Sequence, residues 1–104
     1  MIVDHRTYTI QHGRSKEYIA LFEHEGLPVQ LKHLGAPIGY FETAIGPLNQ
    51  VVHLWAYDSL ADMETKRQAR DADPAWGAYK KKSAGMLLAQ ENKIIKPTSF
   101  SPLK

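Results

Sequence analysis

A histidine lies among large aromatic side chains in the segment Gln50–Tyr57. Side chains alternate between the two faces of a strand, so Val51, His53, Trp55 and Tyr57 share one face of this predicted strand. An imidazole shielded from water could act as a general base, because it titrates near neutral pH. A single histidine without a partner group favours the alternative, a hydrogen-bonded histidine in a subunit interface. His53 is therefore a candidate base or an interface residue.

Other polar and aromatic side chains could contact a ligand, although they form no known catalytic motif. Tyr40 is a second, weaker candidate for moving a proton. Asn49 lies in a Gly-Pro-Leu-Asn turn, where asparagine tolerates left-handed backbone; its alternative role is to bind a ligand carbonyl at the mouth of a pocket. The candidate ligand-binding residues are Trp55, Asn49, Asn92, His5 and Arg6.

The histidines do not indicate a metal site. His5 could lie beside His53, because the topology predicted below places their strands side by side. Two imidazoles without a carboxylate at a suitable spacing are rarely enough to hold a metal ion. His24 and His33 are nine positions apart on the first helix and form no His-Glu-x-x-His arrangement. We therefore expect neither a metal nor a cofactor.

Hydrophobic spacing and turn residues predict the elements that position these side chains. The segment Ile2–Ile10 alternates and is rich in β-branched residues, as a strand does. A helical stripe begins after Ser15, the predicted N-cap, and Gly26 and Pro28 predict a kink within it. The later predicted elements are strands over about 38–45 and 50–57, a helix capped by Ser59 and running to about Ala72, a helix capped by Asp73, and a strand over 88–95.

This order, β-α-β-β-α-β, predicts a ferredoxin-like α+β fold: a four-stranded antiparallel sheet with the helices on one face. Bulky side chains are available to both sheet faces, so we expect the second face to be covered by another copy of the chain. In this interpretation Val52, Leu54 and Ala56 face the helices. The face that carries His53 then marks the dimer interface, with a pocket at its edge, and Asp4 and Arg6 belong to a polar network across the dimer.

Composition limits the function classes. A chain of 104 residues, 43% hydrophobic and 23% charged, predicts one soluble domain over residues 1–104, of which residues 96–104 form an irregular tail. Cysteine is absent and the N-terminus has no signal-peptide pattern, so we expect a cytoplasmic protein. The net charge is +2, and its short run Lys80–Lys82 is typical of a solvated helix face. We expect no nucleic-acid or membrane partner.

Several separated segments of this sequence resemble the NIPSNAP family. They are Ile2–Tyr8, Gly39–Asp62, Asp73–Trp76 and Gln90–Asn92, and together they extend over almost the whole chain in order. The resemblance implies a dimeric α/β barrel, the superfamily that also holds antibiotic-biosynthesis-type monooxygenases and muconolactone isomerase-like proteins. It implies no particular activity.

Two functional hypotheses follow. The first is a homodimeric small-molecule binding or scaffold module without turnover. The second is a cofactor-independent monooxygenase or isomerase that holds a small aromatic or carbonyl compound between sheet and helices. His53 or Tyr40 would move a proton, and the protein would supply orientation and exclusion of water. The sequence identifies neither the ligand nor a reaction.

Overall fold

The computed structural model describes all 104 residues. Its strands are β1 (Ile2–Ile10), β2 (Gly39–Glu42), β3 (Gln50–Tyr57) and β4 (Leu87–Ile95). Its helices are α1 (Ser15–Leu21), α2 (Leu27–Leu34), α3 (Leu60–Asp71) and α4 (Pro74–Ser83), and a π-helical turn, Phe22–Gly26, joins α1 to α2. The predicted order of elements is confirmed, with each helical region divided in two. Residues 96–104 form neither helix nor strand. None of the helices, the longest of 12 residues, has the length and apolar character needed to cross a bilayer.

The four strands form one antiparallel sheet in the order β2-β3-β1-β4, which confirms the ferredoxin-like arrangement. In the register, Arg6 of β1 and Tyr40 of β2 both lie opposite His53 of β3. Residues opposite each other share a face of the sheet, so these three side chains lie on the same side. His5 lies opposite Leu54, so its side chain lies on the other face. The predicted proximity of His5 and His53 is therefore wrong.

The alternation of side chains in β3 is as predicted, but the prediction of which face the helices cover is wrong. The helices cover the aromatic face, where Val51, His53, Trp55 and Tyr57 are all buried. The other face, with Val52, Leu54 and Ala56, is only partly buried. Large aromatic side chains bury more apolar area than valine, leucine or alanine, which favours covering the face that carries them. The face carrying His53 therefore lies in the interior of the chain and not in a dimer interface.

The apolar core is divided into two clusters along the strands. One cluster contains Tyr8, Ile10, Tyr18, Val51 and Met86, and the other contains Leu34, Trp55 and Tyr57. Along β1 and β3 the stretch between the clusters carries buried polar side chains, Arg6 and His53. The interior therefore changes from apolar to polar and back along the sheet.

The predicted kink in the first helical region is a π-helical turn that ends at Gly26. A Cβ atom at Gly26 would lie 2.9 Å from Phe22 Cδ2 and 3.1 Å from the Tyr79 ring, so the close approach of two rings requires glycine here. Pro28 follows in the first turn of α2, directly after the π-helical turn, where the regular α-helical hydrogen bonding is already interrupted. The turn thus places Phe22 and Tyr79 against the same point of the helix.

The second helical region begins with the caps that the sequence predicts. Ser59 Oγ accepts a hydrogen bond from the backbone N–H of Asp62, and Asp73 Oδ1 accepts one from that of Ala75. Ser15 was predicted to cap the first region, but it is the first residue of α1 and makes no capping bond. The predicted strand over 38–45 is also shorter, because the chain leaves the sheet after Glu42 and forms a loop before β3.

Candidate functional site

Two cavities lie between the sheet and the helices, and His53 lines both of them. The first has a volume of about 260 Å³ and is lined mainly by apolar side chains, including Ile19, Leu27 and Val51; we call it the apolar chamber. The second has a volume of about 180 Å³ and carries the basic side chains Arg6, Arg67, Arg70 and Lys80; we call it the basic chamber. Tyr18 and Phe22 also line both chambers. Together the volumes of the chambers fall within the range of small-ligand pockets, about 300–1,000 Å³.

His53 is buried among aromatic rings, with 5% of its surface exposed. Its ring centroid lies 4.6 Å from that of Tyr40, 4.7 Å from that of Phe22 and 5.3 Å from that of Tyr8. Burial, and secondly the positive charge of Arg6, lower the pKa of His53 from 6.5 to about 4. No hydrogen bond of the protein involves the imidazole. At neutral pH His53 is therefore an uncharged group that can hydrogen-bond to a ligand.

Arg6 forms a buried ion pair within the chain. Its Nε donates to Asp4 Oδ2 at 2.9 Å, and its Nη1 donates to the Tyr8 hydroxyl at 3.3 Å. Asp4 is almost completely buried, and its Oδ1 has no hydrogen-bond partner. The predicted role of Asp4 and Arg6 in a network across the dimer is wrong, because both side chains lie under the helices. The pair holds the Arg6 guanidinium at the wall of the basic chamber.

Two further arginines reach the basic chamber from α3. Arg70 donates to Asp71 Oδ1 from Nε at 3.1 Å and from Nη2 at 2.9 Å, and its guanidinium lies 4.5 Å from the centre of the Trp76 ring. Arg67 is partly buried and forms no ion pair. Burial, and then the charges of Arg6 and Arg70, lower the pKa of Arg67 below its usual value. Arg67 is therefore close enough to Arg6 and Arg70 to be repelled by both.

Of two further predicted site residues, Tyr40 lines a chamber and Trp55 does not. Tyr40 lines the apolar chamber, and its hydroxyl donates to Gln30 Oε1 at 3.2 Å. Burial raises the pKa of the Tyr40 hydroxyl, so it stays protonated at neutral pH. Trp55 packs in the cluster with Leu34 and Tyr57 and lines only a small void of about 10 Å³. The structure therefore places Tyr40 beside His53 and Trp55 in the core.

Like Trp55, the other three predicted ligand-binding residues outside Arg6 line neither chamber. Asn49 has left-handed backbone, φ 65°, and its Oδ1 accepts a hydrogen bond from the Ser15 hydroxyl at 3.2 Å, which suits a turn residue. His5 lies on the face of the sheet away from the helices. Asn92 is exposed on β4 and accepts a hydrogen bond from Gln90 Nε2 at 3.1 Å. No group of three or more histidine, aspartate or glutamate side chains is arranged to hold a metal ion.

Sequence reasoning missed Arg67 and Arg70, although a signal for them exists. Met63, Arg67 and Arg70 follow one another at i, i+4 and i+7, which is the spacing of one helix face. Since Met63 packs against the Leu34–Trp55–Tyr57 cluster, that face points at the sheet. Basic side chains at inward positions of a helix are uncommon unless they are paired, so this spacing could have indicated a charged cavity.

The fold and the two chambers define the class of the protein: it is a ferredoxin-like α+β protein with two chambers between its sheet and its helices. Residues 3–102 match the model of the NIPSNAP family, and the chain therefore belongs to that family. The crystal structure of protein Atu4242 from Agrobacterium tumefaciens is 41% identical, with a TM-score of 0.96 and all of both chains covered. A crystal structure of the same protein is described as that of a NIPSNAP family protein of unknown function. Family membership thus names no activity.

Other relatives are longer or more distant. The NipSnap homologue of Dictyostelium discoideum is 33% identical to this chain over 91% of its residues. The chain spans only 42% of the length of that protein, and 19% of the length of a NipSnap protein of Caenorhabditis elegans. A Bacteroides thetaiotaomicron structure assigned to the antibiotic biosynthesis monooxygenases is 22% identical, with a TM-score of 0.73 and 99% and 93% of the two chains covered. At this identity the likeness shows a shared fold alone.

Proposed function

We propose that this protein is a homodimeric small-molecule-binding module whose ligand occupies the two chambers around His53. The observation that carries the proposal is an uncharged, buried imidazole without a protein hydrogen bond, placed where an apolar chamber meets a basic one. The His53 ring lines both chambers, so a ligand or water in them is placed to complete its hydrogen bonding. Aromatic and apolar walls with a few convergent polar groups are typical of ligand pockets.

The dimer is the second part of the proposal. The sheet face without helices carries partly buried Val52, Leu54 and Ala56, and Phe41, which is 55% exposed, lies on the same face. Two copies related by a two-fold axis would bring these apolar surfaces together. On the β4 side of this face, Glu91 and Lys93 supply charges of both signs, as a self-complementary contact requires. We also propose a cytoplasmic location, because a sequence without cysteine suits a reducing compartment.

Binding can be tested with a variant that fills the apolar chamber. Ile19→Trp adds bulk to a side chain that lines this chamber, whereas Leu31→Trp, at an exposed site on α2, is the matched control. We expect small aromatic carboxylates and amides to shift the NMR signals of residues around His53 in the wild type and in Leu31→Trp, but not in Ile19→Trp. The proposal fails if no compound binds at millimolar concentration, or if all three proteins respond alike.

A second candidate function is a cofactor-independent monooxygenase or isomerase. The observation that favours it is the neutral imidazole of His53, which faces the apolar chamber and could accept a proton from an enolisable aromatic or carbonyl compound. Tyr40, beside it, would supply a hydrogen bond from its protonated hydroxyl. His53→Gln would then abolish turnover of a bound compound without weakening its binding. Unchanged turnover in this variant excludes His53 as the base.

A further inference from the structure

We infer that the ligand is an organic carboxylate: its anionic group binds in the basic chamber, and its apolar or aromatic body lies in the apolar chamber. This inference rests on the proposed function and specifies the chemistry of the same site. It is carried by the charges that line the basic chamber.

The basic chamber has a large excess of positive charge. Arg6, Arg67, Arg70 and Lys80 line it, and no aspartate or glutamate does. The nearest buried carboxylate, Asp4, is hydrogen-bonded to Arg6. Positive charges in a partly desolvated cavity repel one another and lose hydration, so a partly buried cation without an ion pair, here Arg67, is costly to the fold. An anionic ligand would offset this cost, whereas a neutral one would not.

Arg67 is the side chain that is free to bind the anion. Arg6 is held by Asp4 and Tyr8, and Arg70 by Asp71 and Trp76, so their positions are fixed by the protein. Arg67 reaches the same chamber without an ion-pair partner. A guanidinium group binds a carboxylate through two parallel N–H donors, which gives both strength and orientation. Two guanidinium groups held by the protein and a free one, with the exposed Lys80 beside them, thus form a site that can bind a carboxylate.

The apolar chamber determines the rest of the ligand. Phe22 and Tyr40 present ring faces and edges around His53, at centroid distances of 4.7 and 4.6 Å from its ring. Because Tyr18, Phe22 and His53 line both chambers, a ligand bound by Arg67 could continue past His53 into the apolar chamber. An aromatic or aliphatic body fits these walls better than a second anionic group does, since Glu23 and Glu42 also line the chamber.

A matched pair of probes tests this inference by calorimetry or NMR titration. 3-Phenylpropionate and 3-phenylpropanamide have almost the same shape, but only the first carries a negative charge. We expect the carboxylate to bind the wild type at least about tenfold more tightly than the amide. Arg67→Gln should remove most of this preference. Arg67→Lys, which keeps the charge but loses the paired donors, should retain part of it.

The control is Lys81→Gln, which removes one positive charge from an exposed residue that lines neither chamber. It should keep the full preference for the carboxylate. If the amide binds as tightly as the carboxylate and Arg67→Gln binds both unchanged, the carboxylate inference is overturned while the proposed binding function stands. If acetate, a carboxylate without an apolar body, binds as tightly as 3-phenylpropionate, the apolar body contributes nothing and the second half of the inference is overturned. If neither probe binds at millimolar concentration, the inference and the proposed function both fail.

Discussion

Arg6 and His53 lie directly opposite each other on neighbouring strands, and both side chains are buried beneath the helices. The guanidinium group stays charged, because its ion pair with Asp4 satisfies it. The imidazole beside it stays neutral, since protonation would place a second positive charge in a desolvated site. This pairing explains how one chain holds a cation and an unprotonated base side by side.

Stability should depend on pH through His53. Its folded-state pKa is about 4 and its ordinary value is 6.5, so the unfolded chain binds more protons between these values. The stability that comes from keeping His53 uncharged is complete above pH 6.5 and is lost as the pH falls toward 4. The loss in free energy of unfolding is at most on the order of 3 kcal/mol. Urea unfolding of the wild type and His53→Gln across this range measures it. The exposed His12→Gln is the control, and equal pH slopes for all three proteins would contradict the prediction.

Removing the carboxylate of Asp4 should destabilise the fold strongly. Asp4→Asn leaves the Arg6 guanidinium buried without its counter-charge, which costs about 3–5 kcal/mol. Asp71→Asn removes the carboxylate that pairs with Arg70. Because the side chain of Asp71 is 59% exposed, the free energy of unfolding should fall by less than about 1 kcal/mol. Chemical denaturation of both variants gives the comparison. Similar losses would mean that burial of the ion pair is not the decisive factor.

Gly26→Ala should destabilise the π-helical turn. The new Cβ would lie 2.9 Å from Phe22 and 3.1 Å from Tyr79, so the rings must shift, at a cost of about 1–3 kcal/mol. Gly77→Ala in α4 is the control, since nothing lies within 4 Å of its added Cβ. There the better helix propensity of alanine should stabilise by up to about 1 kcal/mol. The midpoint temperature of thermal unfolding should therefore fall in Gly26→Ala and rise in Gly77→Ala. A shift in the same direction in both variants would refute the packing argument.

A charge on the open sheet face should prevent dimerisation. Leu54→Glu places a carboxylate among the apolar residues of this face, whereas Leu31→Glu changes an exposed residue on the helical side. In analytical ultracentrifugation at micromolar concentration we expect a dimer for the wild type and Leu31→Glu, and a monomer for Leu54→Glu. A folded monomer of the wild type would overturn the proposed dimer.

Much of the fold could be predicted because its signals are local. The alternation of Ile2–Ile10 and Gln50–Tyr57, the caps at Ser59 and Asp73, and the break near Gly26 each depend on a few neighbouring residues. The end of β2 was less predictable. The residues up to Ile45 have strand-like composition, but the chain leaves the sheet after Glu42 and forms a loop.

The candidate site was only partly predictable, because its residues come from elements far apart in sequence. His53 and Tyr40 were identified from their segment, and the structure places both beside the apolar chamber. Arg67 and Arg70 belong to the site only because α3 packs across the sheet in the folded structure. Their role depends on the position of Arg6, about 60 residues away, and no local pattern carries that information.

The sequence by itself determined the elements, the antiparallel topology and the family, since these follow from periodicity, capping and ordered motifs. Only the tertiary structure decided which face of β3 the helices cover. An alternating strand has two faces whose residues are known, but the side on which a connection packs is a property of the whole chain. That choice placed His53 in the interior beside Arg6 and created the two chambers.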